Sequence, residues 1–288
     1  GERERQAAVI GCGVVGLTTT RQLQRRGFDV TIYAKSVPPN TTSNMSLASW
    51  TPTSGLVDHG LRTPAWDAQF RRVATASYRE LQLLVGRGYG VSWIDGYFLT
   101  ESRPGGGGEG GDAGDRGPTR EPLLPPELDT GSMVLGPDDH PFPTRFALRS
   151  PSMRIEPSIY LDALVRDVRA AGAPIVIRTF ETPRDVAALE EPIVFNCTGL
   201  GAGELFGDPE IVPLKGQLTH LIPQPEVEYA TFGSATPSAG GFVHMQPRSD
   251  GIALGGTSEE GNWDLTPDEE ARRRIVEAHI DLFRRMRG

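Results

Sequence analysis

The sequence predicts an α/β fold in which a doubly wound parallel sheet is interleaved with a second, mixed-sheet domain. Three observations predict it. A glycine-rich turn joins a strand pattern to a helix pattern at the start of the chain, and a second strand runs into a glycine-crowded turn at Cys197–Gly203. Near the end, a hairpin pattern precedes a helix with its own start signals.

Ala7–Ile10 is a short apolar run that reads as a buried strand, Val14–Arg26 as a helix with Leu17 and Leu23 inward, and Val30–Tyr33 as a second strand. Gly27 is placed to stop the helix in a left-handed conformation. The turn of this βαβ unit carries Gly11, Gly13 and Gly16. In such a unit the first glycine permits the tight turn, the second lets backbone N–H groups approach a pyrophosphate, and the third lets the helix pack closely. The helix N-terminus adds partial positive charge. The spacing therefore points to a dinucleotide ligand.

Trp66–Val85 places Phe70, Val73, Tyr78, Leu81 and Leu84 at helical spacing and reads as an amphipathic helix lying on a sheet. Gly96–Thr100 and Met133–Leu135 read as strand pieces of one domain. Between them, residues 103–120 (RPGGGGEGGDAGDRGPTR) hold too much glycine and charge to bury apolar surface, and a disordered surface loop is expected.

Pro157 opens a second α/β unit, with Leu161, Leu164, Val165 and Val168 at helical spacing, Gly172 as the stop and Ile175–Ile177 as the strand. The next strand, Ile193–Asn196, runs into CTGLGAG. Glycines crowding a strand's carboxyl end mark the place where ligands lie in doubly wound sheets; a plain glycine-rich turn is the alternative.

Gly241–Gly256 reads as a hairpin, with Pro247–Gly251 as the turn and Ile252–Leu254 as the return strand. Alternation puts Phe242, His244 and Gln246 on one face and Val243 and Met245 on the other, so a histidine and a glutamine could line a polar pocket. In the last helix Thr266 and Glu269 form a capping box, Pro267 takes the first helical position, and Ile275, Leu282 and Met286 mark the inner stripe. Arg284, Arg285 and Arg287 suit the negative end of that helix.

At 288 residues the chain can bury a substantial core and admits two domains. The 29 Lys and Arg against 37 Asp and Glu give a net charge of −8, which argues against a nucleic-acid partner. No run approaches the roughly 18 apolar residues that span a bilayer, so no membrane partner is expected. Cys12 and Cys197 are too few for a disulfide framework and lack metal-ligand spacing, and both read as small core residues. The chain begins at Gly1, which leaves a removed export signal open, with the cytoplasm as the default location.

A dinucleotide fold usually ends its second strand in Asp or Glu, which holds the adenosine ribose. Here that place reads Tyr33, Ala34, Lys35, Ser36, and Asp29 lies at the wrong end of the strand. Lys35 could meet a 2′-phosphate, which keeps an NADP-dependent reductase as an alternative. Spacing alone does not choose between flavin and nicotinamide.

The order of segments does choose. YAKSVPPNTTSN, then SWTP, NCTG, LKGQ and LGGTSEEGNW resembles the D-amino-acid oxidase family of FAD flavoproteins through most of the chain except 103–130. The resemblance implies a Rossmann-like FAD-binding domain over 1–55 and 150–212, and a mixed-sheet substrate domain over 56–149 and 213–288. It implies FAD contacts from Gly11, Gly13, Val14, Val15, Gly16, Lys35, Thr42, Ser43 and Trp50, with Thr51 beside the flavin. Phe180 matches a position whose backbone faces the adenine, and Thr198 and Gly199 lie near the phosphates.

The implied chemistry is oxidative deamination of a D-amino acid or related small amine to a 2-oxo acid, ammonia and hydrogen peroxide. The implied partners are that substrate and oxygen, with a homodimer as the candidate assembly. No protein acid or base is obligatory in that chemistry, so His59, His140, His220 and His279 read as structural or surface histidines.

The chain departs from the family pattern in two places. His244 stands where the family usually has a tyrosine that hydrogen-bonds the substrate carboxylate, and a second lid tyrosine falls near Gly240; this points to an altered substrate. The family pattern also continues past this chain's last helix, with an arginine that pairs the substrate carboxylate and a glycine-rich flavin loop. The expectation is part of a longer oxidase, with a flavin-binding remnant of low activity as the alternative. Arg62 and Arg248 are the candidates to replace that arginine.

Overall fold

The computed structural model describes residues 2–52, 59–104, 124–233 and 242–287. The expected disordered loop lies outside the described residues from 105 onward, as does Gly240. In chain order the first elements are β1 (Gln6–Ile10), α1 (Val14–Gln24), β2 (Asp29–Ala34), α2 (Pro64–Gln82), β3 (Val91–Thr100), β4 (Met133–Leu135) and β5 (Phe146–Ile155). Next come α3 (Pro157–Ala170), β6 (Ile175–Ile177), α4 (Pro183–Ala187), β7 (Ile193–Asn196), α5 (Gly201–Phe206) and β8 (Leu214–Lys215). The last are β9 (Thr219–Leu221), β10 (Tyr229–Phe232), β11 (His244–Arg248), β12 (Gly251–Gly255), β13 (Glu259–Glu260) and α6 (Glu269–Arg284).

The chain forms two compact units. The first comprises Gly1–Ser46, Glu156–Lys215 and Ser258–Leu265, and the second Leu47–Ile155, Gly216–Thr257 and Thr266–Gly288. The crossings thus fall at 46/47 and 155/156 rather than at 55 and 150, and 258–265 groups with the first unit.

In the first unit a four-stranded sheet runs in the order β6-β2-β1-β7, and its adjacent strands are parallel. Side chains alternate along a strand, so Ala7, Val9, Val30 and Ile32 share one face. They form a core with Leu17 and Leu23 of α1 and Leu161, Leu164 and Val168 of α3. Leu17, Ile32 and Val168 have no exposed surface, and each such side chain contributes about 1.5–3 kcal/mol through burial. Gly27 adopts φ 79° just past the helix, as its position predicts, and α1 gives way at Arg25 rather than continuing to Arg26.

The second unit is built on a seven-stranded mixed sheet, β4-β5-β3-β10-β11-β12-β9, in which β3 and β10 pair in parallel. Met245, Ile252 and Leu254 form one core cluster with Ile275 of α6. Leu99, Phe142, Ala147 and Leu282 form another. α2 lays Tyr78 against Trp93 of β3, with ring centroids 6.3 Å apart.

Three local expectations are corrected. α2 starts at Pro64, where the Thr63 side chain accepts from the Trp66 N–H, and ends at Gln82; Ala74 and Leu81 are its buried residues, while Val73 is 56% exposed. The cap of α6 is Asp268 rather than Thr266: its carboxylate accepts from the N–H groups of Glu270 and Ala271. Gln217 fixes that cap, accepting from the Asp268 N–H at 2.7 Å and donating to the Asp268 carbonyl at 2.9 Å. The hairpin turn contracts to Ser249–Asp250, because Pro247 stays in β11 opposite Ile252. Among the described residues, no helix is long and apolar enough to cross a membrane.

Candidate functional site

In the first unit the glycine turn is assembled by close backbone approach. Gly11 sits at φ 119°, and a Cβ there would overlap the carbonyl of Cys197, the residue after β7. A Cβ on Gly16 would overlap the carbonyl of Gly11. The second contact folds the β1–α1 turn tightly on itself, and the first brings it against the strand end that leads into Thr198 and Gly199. Thr198 is pinned there, its hydroxyl donating to Asn196 Oδ1 at 2.7 Å, and Gly199 adopts φ 58°.

The short 3-10 helix Thr42–Met45 delivers Ser43 to the same turn. Thr41 and Asn44 close a capping box around its start. Ser43 Oγ accepts from the Val14 N–H at 2.9 Å, and a Cβ on Gly13 would come within 2.9 Å of that oxygen. The first turn of α1 holds no acidic residue, Gly13 supplies no side-chain cap, and Val15 is 62% exposed. A helix start with no acidic residue in its first turn, its Val14 N–H met by Ser43 Oγ and its Val15 exposed, presents backbone N–H groups and a serine hydroxyl as donors for an anion, so these residues fit a pyrophosphate.

At the carboxyl end of β2, Lys35 is exposed. Tyr33 meets Phe180 edge-on at 5.9 Å, and the Arg178 guanidinium lies 4.6 Å from the Phe180 ring centre. The Tyr33 hydroxyl donates to Glu191 Oε1 at 3.0 Å. Burial, and then that hydrogen bond to Glu191, raise the Tyr33 pKa. Sequence spacing gave no sign of the Tyr33–Glu191 pair, whose members lie 158 residues apart. Burial pushes the Cys12 thiol up to about 11, so it remains a protonated core group.

Trp50, Thr51 and His244 belong to the second unit. Trp50 is tied by its backbone N–H to the Met153 carbonyl at 3.0 Å and meets Tyr78 in a tilted ring contact with centroids 5.5 Å apart, while Thr51 is exposed. His244 opens β11 opposite Gly255. Its Nδ1 is buried without a hydrogen-bond partner among the described residues, and Phe242 lies 6.1 Å away. Burial, helped by repulsion from His279 of α6, pushes the His244 imidazole down to about 4. It is therefore a neutral hydrogen-bonding ring at neutral pH and not a cation. Burial lowers His279 as well, and its Nδ1 meets the Ile275 carbonyl at 2.8 Å.

Gln246 shares the His244 face and is wholly buried, its carbonyl accepting from Ser49 Oγ at 3.1 Å. The two candidate replacements for a carboxylate-binding arginine both meet local acids. Arg62 Nε donates to Asp67 at 2.9 Å, and Arg248 grips Asp250 through Nε at 2.7 Å and Nη2 at 2.5 Å. The second unit also holds a cavity of about 730 Å³ lined by Trp93, Arg154, Pro247 and Arg248 among others. Asp95, another of its lining groups, pairs with Arg149.

Comparison with known proteins identifies the family. Residues 6–287 match the family model described as FAD dependent oxidoreductase. A D-amino-acid oxidase of Rubrobacter xylanophilus is 30% identical, with 98% of this chain and 78% of that protein covered. A D-amino-acid oxidase of Streptomyces coelicolor is also 30% identical, over 96% of this chain and 77% of the relative. Among solved structures, glycine oxidase from Bacillus cereus shares the Rossmann-like fold at a TM-score of 0.64 and 15% identity, covering 96% of this chain and 78% of that one. FAD is thus the cofactor of the matched family, and the comparisons lend the NADP alternative no support. The chain belongs to the D-amino-acid oxidase family of FAD-dependent oxidoreductases.

Proposed function

We propose that this protein is an oxidase that converts a D-amino acid or related small amine, with oxygen and water, to a 2-oxo acid, ammonia and hydrogen peroxide. The observation that carries the reading is the open start of α1, where Gly13 and Ser43 frame backbone donors beside an exposed Val15. When bound, FAD supplies the two-electron redox chemistry; the protein's part is to bind, orient and exclude water.

In this reading the first unit is the FAD-binding domain. Gly11, Gly13 and Gly16 shape the turn, the Val15 N–H and the Ser43 hydroxyl, itself fixed by the Val14 N–H, hold the pyrophosphate, and Thr42 flanks it. Thr198 and Gly199 border the phosphates, while Lys35 and the Phe180 backbone serve the adenosine. The second unit is the substrate domain. It contributes Trp50 and Thr51 to the flavin side and His244 to the substrate. A neutral imidazole can donate one hydrogen bond to a substrate carboxylate, where the family's usual residue is tyrosine. The reading keeps a cytoplasmic setting and a homodimer as the candidate assembly.

The test is to titrate the purified protein with FAD, following the visible absorption, and then to assay peroxide with D-amino acids, glycine and N-methyl amines. Saturable FAD uptake with peroxide release on one class is the expected result. Absence of FAD uptake overturns the reading; uptake without peroxide leaves a flavin-binding protein only.

A further inference from the structure

The segment Leu47–Thr51 follows directly on the crossing into the second unit, and three hydrogen bonds tie it to the sheet. Its backbone forms an antiparallel bridge between Ser49 and Arg154. Two bonds make that bridge: the Ile155 N–H donates to the Ala48 carbonyl at 2.7 Å and the Trp50 N–H to the Met153 carbonyl at 3.0 Å. A single side-chain bond, Ser49 Oγ to Gln246 Oε1, then reaches across 197 residues of sequence to β11.

The receiving side of that bond is itself rigid. Gln246 has no exposed surface, and its Nε2 has no partner among the described residues, so Ser49 is the carboxamide's hydrogen-bond contact there. Arg154 staples the neighbouring strands, donating through Nε to Ser92 at 3.1 Å and through Nη1 to the Pro247 carbonyl at 3.1 Å. Ala48 adopts φ 102°, and it is the one non-glycine residue with positive φ among those described. A side chain held there is strained, and such strain persists only where the surroundings over-determine the conformation.

We infer that Ser49 and Gln246 are positioning residues: their hydrogen bond clamps the strained Ala48–Thr51 strap onto the strand that carries His244, and so sets Trp50 and Thr51 for the flavin. Gln246 touches no reacting atom in this arrangement, since its carboxamide is sealed from solvent. It acts through the strap. The inference rests on the FAD reading above for what the strap serves, but the clamp itself belongs to the protein without cofactor.

The experiment uses Ser49→Ala, Gln246→Leu, the double variant and Ser49→Thr, which keeps a hydroxyl. Amide exchange is measured first on the cofactor-free protein. The Trp50 and Ile155 amides should exchange about tenfold faster in Ser49→Ala and Gln246→Leu, as loss of a net hydrogen bond implies. The double variant should be no worse than either single one, and Ser49→Thr should stay near the parent. FAD titration should then show dissociation constants raised about tenfold in the same variants, with a shifted visible band, while circular dichroism stays unchanged.

Unchanged exchange at Trp50 and Ile155, or additive effects in the double variant, overturns the clamp. Faster exchange with parental FAD affinity and spectrum overturns its role toward the flavin. If the parent protein takes up no FAD, the functional reading fails, and the exchange measurements decide the clamp independently.

Discussion

The imidazole of His244 lies across the backbone of Gly255, its partner in the β11–β12 pair. A methyl at 255 would overlap His244 Cε1 and sit 2.6 Å from Nε2 and 2.9 Å from Nδ1. The ring therefore has its seat because residue 255 has no side chain.

Gly255→Ala should evict that ring. Overpacking of this kind destabilises by about 1–3 kcal/mol, readable as a lower urea midpoint with an unchanged slope. In the proposed enzyme the same variant should raise KM for the amino acid more than it lowers kcat, because a carboxylate donor has moved. A parental midpoint together with a parental KM would show that the ring has room to spare.

The burial of His244 also predicts how stability follows pH. Its folded pKa of about 4 lies below that of an unfolded histidine, about 6.5. The unfolded chain therefore takes up the proton first, and stability falls as pH drops from about 6.5 toward 4. This group alone accounts for a loss on the order of 3 kcal/mol. Burial lowers His279 and His220 too, which adds to the slope in the same direction. His244→Gln should flatten part of the dependence in urea titrations at pH 7, 6 and 5. If His244→Gln keeps the whole slope, His244 is not the group that drives it.

Much of the first unit was legible because its signals are local. β1, α1 and β2 follow from apolar runs and Gly27, and the turn glycines from their spacing. What escaped the sequence depends on distant partners. Nothing in the local sequence puts Gly255 under the His244 ring, or Ser49 against Gln246. Asp268 displaced Thr266 as the α6 cap because Gln217, 51 residues away, holds its backbone in place. Glu191, which binds Tyr33, carried no spacing signal at all.

The turn glycines should separate folding from binding. Gly11→Ala forces a positive φ onto alanine and meets a carbonyl of the chain, so it should abolish a cooperative fold. Gly13→Ala meets only the tip of the Ser43 side chain, at 2.9 Å, which can rotate away. That variant should fold with a stability loss within about 2 kcal/mol, the scale of a lost cap, while its FAD affinity drops at least about tenfold. Equal behaviour of the two variants in thermal melts and FAD titrations would count against this division of roles.

Ala48 should invert the usual ranking of substitutions. Elsewhere, glycine in place of a buried alanine loses a methyl contact and adds unfolded-state entropy, together about 1–2 kcal/mol. At φ 102° the alanine already bears strain of about 1–3 kcal/mol, which glycine releases. Ala48→Gly should therefore be neutral to stabilising by up to about 1 kcal/mol. Ala48→Val should destabilise by more than about 2 kcal/mol, since a β-branched side chain at positive φ adds crowding to the same strain. Melting temperatures ordered Gly, Ala, Val from high to low would place the strain at Ala48; a glycine variant that melts several degrees below the parent would remove it from there. Because Ser49 and Trp50 hold the strap on the far side of Ala48, the stabilised glycine variant should keep the slow exchange of the Trp50 amide.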